Sequence, residues 1–112
     1  MADTVSGLLA EGAVVARYAG ALEYGPRALG NRSILARTDD PAINDWLNAR
    51  LDRSEYMPFA PVTLASEAEA LYESLDAAAH CAPFMTIALP VTSAVGQEHA
   101  AVVHVDLSLI HI

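Results

Sequence analysis

Apolar residues recur at helical spacing in three stretches of the chain and cluster into short runs between glycine and proline signals elsewhere. Val5, Leu8 and Leu9 share one face of a predicted helix over residues 3–12, which Asp3 can cap and Gly12 can end. Val14, Val15 and Tyr18 supply the β-formers of a strand over 13–19. Gly20, Gly25, Pro26, Gly30 and Asn31 mark 20–32 as loop, with at most one turn around 27–29, before a second short strand over 33–36. Asp39 and Asp40 precede Pro41 at the first helical position, and Ile43, Trp46, Leu47 and Leu51 then repeat at helical spacing to about residue 52.

Pro58 and Pro61 bound a loop that leads into a strand over 62–64. Ser66-Glu67-Ala68-Glu69 reads as a capping box opening a helix whose face is Ala68, Leu71, Tyr72 and Leu75. Two further strands are expected over 84–91 and 101–105. Strands alternating with helices predict an α/β domain, with α+β as the variant, built on a mixed sheet. Residues 107–112 resemble the translation of a sequencing-library adapter, which would place the end of the natural domain near residue 106; an ordinary terminal strand is the other reading.

The chain has 112 residues, enough for one small domain, and at 54% hydrophobic and 18% charged it can form a packed core. No apolar run reaches the roughly 20 residues of a membrane-spanning helix. The start of the chain lacks signal-peptide features, and the single cysteine, Cys81, precludes an internal disulfide; a cytoplasmic setting is expected. Abundant alanine without lysine suggests a GC-rich, bacterial coding sequence.

Net charge is −8, but it is unevenly placed. All six basic residues are arginines at or before position 53, where seven acids nearly balance them; residues 54–112 carry seven acids and no base. Such a balance disfavours a broad nucleic-acid or anionic-membrane face and leaves room for a local arginine site holding a small anion.

Two segments concentrate that chemistry. In Glu23-Tyr24-Gly25-Pro26-Arg27-Ala28-Leu29-Gly30-Asn31-Arg32-Ser33, two guanidinium groups sit among glycines, an amide and a hydroxyl. Glycine admits close approach of backbone N–H groups to an anion, and guanidinium forks match phosphate oxygens. The pattern is neither a Walker A loop nor G-x-G-x-x-G. Ion pairs of Arg27 and Arg32 with Glu23 or nearby aspartates explain the same residues structurally. In the second segment, Arg50 and Arg53 flank a helix end ahead of Met57-Pro58-Phe59-Ala60-Pro61. They complement the helix dipole, or they close the opposite wall of an anion pocket. His104 and Asp106, two apart in an expected strand, point to one face; His80-Cys81 lacks the second ligand pair of a metal site.

EYGPRALGNRSIL followed by LNARLDRSEYMPFAPVTL resembles the opening of the C-terminal domain of the carbamoyltransferases of nodulation and antibiotic biosynthesis, and the likeness runs over about residues 5–106. The resemblance implies a partial YrdC-like open α/β fold around a basic cavity, within a chain that also carries a Kae1-like domain. It further implies that carbamoyl phosphate and ATP, with Mg²⁺ on the nucleotide, yield carbamoyl-adenylate, whose carbamoyl group the Kae1-like domain transfers to a small-molecule hydroxyl. Iron is expected only in that other domain. Arg27 and Arg32, assisted by Asn31 and Ser33, become the donor-binding candidates, with Arg53, Arg50 and His104 behind them. Many relatives carry a lysine and a further basic residue in the second segment, where this chain has Arg50, Asp52 and Met57.

Overall fold

The computed structural model describes residues 2–54, 59–103 and, for their backbone, 108–110. It divides into two compact units, residues 1–37 and 38–112. Helices accompany small antiparallel sheets, which is the α/β class expected.

In the first unit, α1 spans Ala2–Ala10, β1 Val15–Tyr18 and β2 Arg32–Leu35. Helix α1 ends where Gly12 takes φ +85°, and the Gly12 and Ala13 amides close onto the carbonyls of Leu9 and Leu8. Strands β1 and β2 pair antiparallel, with Val15 opposite Leu35 and Tyr18 opposite Arg32. The segment between them extends the pairing by one rung, the Ala19 amide donating to the Asn31 carbonyl at 2.9 Å. The glycine-bearing loop is therefore the connection of a β-hairpin. It contains no helical turn at 27–29.

The second unit opens with α2, Ala42–Arg50. Its first turn is closed by the Asp40 carboxylate, whose Oδ1 accepts the Ala42 amide at 2.9 Å. The expected apolar stripe is only half correct. Leu47 is buried, but so are Asn44 and Asn48, whereas Trp46 stays 53% exposed. The asparagines can sit inside because their amides are satisfied: Asn44 Nδ2 donates to the Ala101 carbonyl at 2.6 Å and Asn48 Nδ2 to the Asn44 carbonyl at 2.9 Å. Thr38 reaches the same region, its carbonyl accepting the Ala101 amide and its hydroxyl lying 2.8 Å from His99 Nδ1.

The helix expected from Ser66 onward is broken into two single turns, α3 (Ala68–Leu71) and α4 (Leu75–Ala78). The residue at its start is Glu67, with no side-chain capping hydrogen bond. Tyr72 turns extended and bridges antiparallel to Val91, and the Glu73 and Thr92 amides bond to the Pro90 and Leu71 carbonyls. Hydrogen bonding to a distant segment of the same chain thus replaces helix continuation, and Ser74 takes a left-handed conformation between the two turns. A 3₁₀ turn over Ala82–Phe84 precedes β3, Ala88–Pro90, so the strand expected over 84–91 is shorter than its apolar run. Helix α5 spans Ser93–Glu98, and β4, Ser108–Ile110, pairs antiparallel with β3.

Residues 62–64, expected as a strand, are irregular, with Val62 and Leu64 exposed and no partner strand among the described residues. The strand expected over 101–105 is turn and coil at 101–103; its remainder lies outside the described residues. The observed sheets are two separate antiparallel pairs rather than one mixed sheet. The core of this unit gathers Ala68, Tyr72, Ala78, Ala82, Leu89, Val91 and Val95. Alanine at three of these positions lets the short turns approach closely, and the one large polar side chain, Tyr72, meets the Thr63 hydroxyl at 2.7 Å.

Candidate functional site

The β1–β2 hairpin fixes where each group of the first segment lies. Tyr18 and Arg32 are cross-strand neighbours, and the Arg32 guanidinium stacks 3.7 Å from the Tyr18 ring centroid. From there its Nη1 donates to the Ala19 carbonyl at 2.7 Å and to the Asn31 carbonyl at 3.3 Å, while Nη2 donates to the Gly20 carbonyl at 3.1 Å. Its Nε is buried with no hydrogen-bond partner among the described residues. Arg32 therefore grips the base of the loop.

Arg17, next to Tyr18 in β1, performs a matching task, donating from Nη1 to the Gly30 carbonyl at 2.7 Å. Gly30 adopts φ +118°, a conformation that side-chain-bearing residues rarely take, and its amide donates to Ser33 Oγ at 3.0 Å. Asn31 spans the loop mouth, Nδ2 donating to the Ala21 carbonyl at 2.9 Å.

Glu23 is the anionic centre of this arrangement. Its Oε1 accepts the amides of Leu29, Asn31 and Arg32 at 3.1, 2.5 and 3.3 Å. Desolvation pushes the carboxyl up, but hydrogen bonds from the amides of Asn31, Glu23 itself, Leu29 and Arg32 outweigh it and hold the carboxyl below its ordinary value. The hydrogen bonds that Glu23 accepts here come from backbone N–H groups.

Of the expected donor-binding residues in this segment, Arg32, Asn31 and Ser33 are brought together as the frame of the loop. Arg27 lies on the exposed arc between Tyr24 and Ala28, beyond that frame. Arg17 and Glu23 act in the frame without having been singled out as ligands. The signal for Arg17 is its place in β1, which spacing along the chain does not reveal, whereas the Glu23 contacts arise from the path of the loop.

The second segment belongs to the other unit. Arg50 is exposed in the last turn of α2. Asp52 takes φ +51°, and the Asp52 and Arg53 amides bond back to the Ala49 and Asn48 carbonyls, a helix-ending motif usually built on glycine. This bend carries Arg53 over the Phe59 ring, 5.2 Å from its centroid. Phe59 thus meets a cation in this structure. Met57, His104 and Asp106 lie outside the described residues.

Among the described residues no three His, Cys, Asp or Glu side chains group as a metal site, and no helix is long and apolar enough to cross a membrane.

The family model described as Carbamoyltransferase C-terminus matches residues 6–110. The chain is 39% identical over 107 residues to nodulation protein NolO of Bradyrhizobium diazoefficiens, a match covering 95% of this chain and 19% of that protein. It is 41% identical over 99 residues to nodulation protein NolNO of Sinorhizobium fredii, covering 88% of this chain and 14% of the relative. A shorter match, 52% identical over 58 residues, joins 52% of this chain to 11% of the 3'-hydroxymethylcephem-O-carbamoyltransferase of Streptomyces clavuligerus. The chain thus spans less than a fifth of the length of each of these relatives.

Proposed function

Because this chain belongs to the carbamoyltransferase C-terminus family, we propose that it forms part of an ATP-dependent O-carbamoyltransferase and helps to bind the phosphorylated carbamoyl donor. The reading rests on one observation above the others. An exposed arginine, Arg27, is displayed on a glycine-bearing loop whose backbone is held at both ends by Arg17, Glu23 and Arg32. Bracing the loop backbone lowers the ordering cost of an anion contact made by a residue on it.

Carbamoyl phosphate and ATP both crowd negative oxygens, and arginine charge offsets that crowding. Forming carbamoyl-adenylate requires water to cleave carbamoyl phosphate into carbamate and inorganic phosphate, after which a carbamate oxygen attacks the α-phosphorus of ATP and pyrophosphate leaves. The acceptor hydroxyl then attacks the carbamoyl carbon and AMP leaves. Activation is needed because a carbamate by itself is a poor electrophile. Arg27 is assigned to the donor phosphate, Arg32, Asn31 and Ser33 to keeping its loop in shape, and Arg53 and Arg50 to further anion contacts. Mg²⁺ enters with the nucleotide as part of the co-substrate. A small-molecule hydroxyl is the acceptor, and a Kae1-like domain of the same protein, carrying any iron, completes the transfer in the cytoplasm.

Incubating the complete transferase with ATP and carbamoyl phosphate tests this. Pyrophosphate release supports the enzyme, whereas nucleotide or donor binding without turnover supports the second reading, a non-catalytic anion-binding module. That second reading draws on the same exposed Arg27, since binding alone requires no further chemistry.

A further inference from the structure

The Glu23 carboxylate faces a cluster of backbone N–H groups, those of Leu29, Asn31 and Arg32, which close around its Oε1. Backbone amides converging on one point form a donor surface that is otherwise suited to an external anion. Here an internal anion occupies it, and that fixes the far half of the loop by contacts reaching six to nine residues along the chain. The near half is fixed by Arg32 on the Ala19 and Gly20 carbonyls, and Arg17 adds a second hold on the far half through the Gly30 carbonyl. Arg27 is the basic residue between these two anchorages in the chain, four positions after Glu23 and two before Leu29.

We propose that Glu23 is a positioning residue for anion binding: its carboxylate orders residues 29–32 from behind, so that Arg27 is presented to the donor phosphate in one conformation. The inference deepens the donor-site reading given above and rests on it. Glu23 does not touch the donor; a carboxylate beside a phosphate would repel it. Its contribution is made by satisfying three amides with a charged acceptor, which a neutral amide oxygen does less strongly. Loss of the charge loosens the loop without removing any group that contacts substrate.

The test compares E23Q and E23A with R27A in the complete transferase. Amide hydrogen exchange is followed in the peptide over residues 28–33, alongside KM for carbamoyl phosphate, KM for ATP and kcat. E23Q, which keeps the side-chain shape, is expected to exchange about tenfold faster in that peptide and to raise KM for carbamoyl phosphate about tenfold. Its kcat and exchange elsewhere stay near wild type, and E23A shows the same changes more strongly. Unaltered exchange in E23Q overturns the positioning role. A normal KM in E23Q while R27A raises KM overturns it as well and spares the donor site. A normal KM in both E23Q and R27A overturns the donor-site reading itself.

Discussion

Arg32 and Tyr18 face each other across the β1–β2 hairpin, the guanidinium 3.7 Å from the ring centroid while its Nη atoms grip the carbonyls of Ala19 and Gly20. One side of the cation is therefore shielded by an aromatic face, and its edge is spent on backbone. The pair converts a loop rich in glycine, which would sample many conformations, into a defined connection. Tyr18 is 83% exposed, so its value lies in this stacking and not in core burial.

Removing the ring should therefore be mild but measurable. Y18A is expected to lower stability by about 0.5–1 kcal/mol, the worth of an exposed cation–π contact, and Y18F to leave it unchanged. Urea unfolding of the complete protein, or of this domain if it folds alone, reads the difference. Equal losses in Y18A and Y18F would point to the hydroxyl instead of the ring face.

Arg32 and Arg27 should separate when each is replaced. R32K keeps the charge but loses the fork that reaches two carbonyls at once, and is expected to destabilise by about 1–3 kcal/mol. R27A should weaken use of carbamoyl phosphate by about ten- to a hundredfold. A stable R32K beside an unfolded R27A would reverse the two assignments.

Acid should loosen the loop through Glu23. Its folded carboxyl titrates below its ordinary value because amide hydrogen bonds outweigh desolvation. A depressed folded value means that the contribution is fully present above the unfolded value and is lost as pH falls through the folded one. Exchange in the 28–33 peptide, corrected for intrinsic acid dependence, should rise for wild type below the usual carboxylate range. In E23Q that step should be missing.

Asn44 is a buried polar anchor in α2, 8% exposed, with Nδ2 2.6 Å from the Ala101 carbonyl. N44L keeps similar bulk but strands that carbonyl, and is expected to cost about 1–3 kcal/mol despite adding apolar surface. Calorimetric unfolding checks the sign. A gain in stability would mean that the Ala101 carbonyl finds another donor.

Asp52 ends α2 in a left-handed conformation and places a negative charge beside the helix's negative end. D52N keeps the tolerance for that backbone and removes the charge. It should stabilise by about 0.3–1 kcal/mol, more at low salt than at high salt, as thermal melts at two ionic strengths would register.

How far these features were legible in the sequence differs between the two halves of the chain. Local signals placed α1, β1, β2 and α2 to within a few residues, because capping residues, β-formers and the glycine–proline loop act over one or two turns of chain. The GPRALGNRSIL run by itself marked the segment as chemically loaded and carried the family likeness. That Arg32 braces the loop was decided by register: its pairing with Tyr18 turns it onto the loop carbonyls. Likewise the apolar face from Ala68 to Leu75 specifies a helix until Tyr72 and Val91, 19 positions apart in sequence, meet and draw the backbone out of it. Short-range preferences amount to tenths of a kcal/mol per residue, about the size of one hydrogen bond when summed over a turn. Tertiary pairing, which satisfies several backbone groups together, can override them, and so the sequence carried the family likeness while the fold decided which contacts each residue makes.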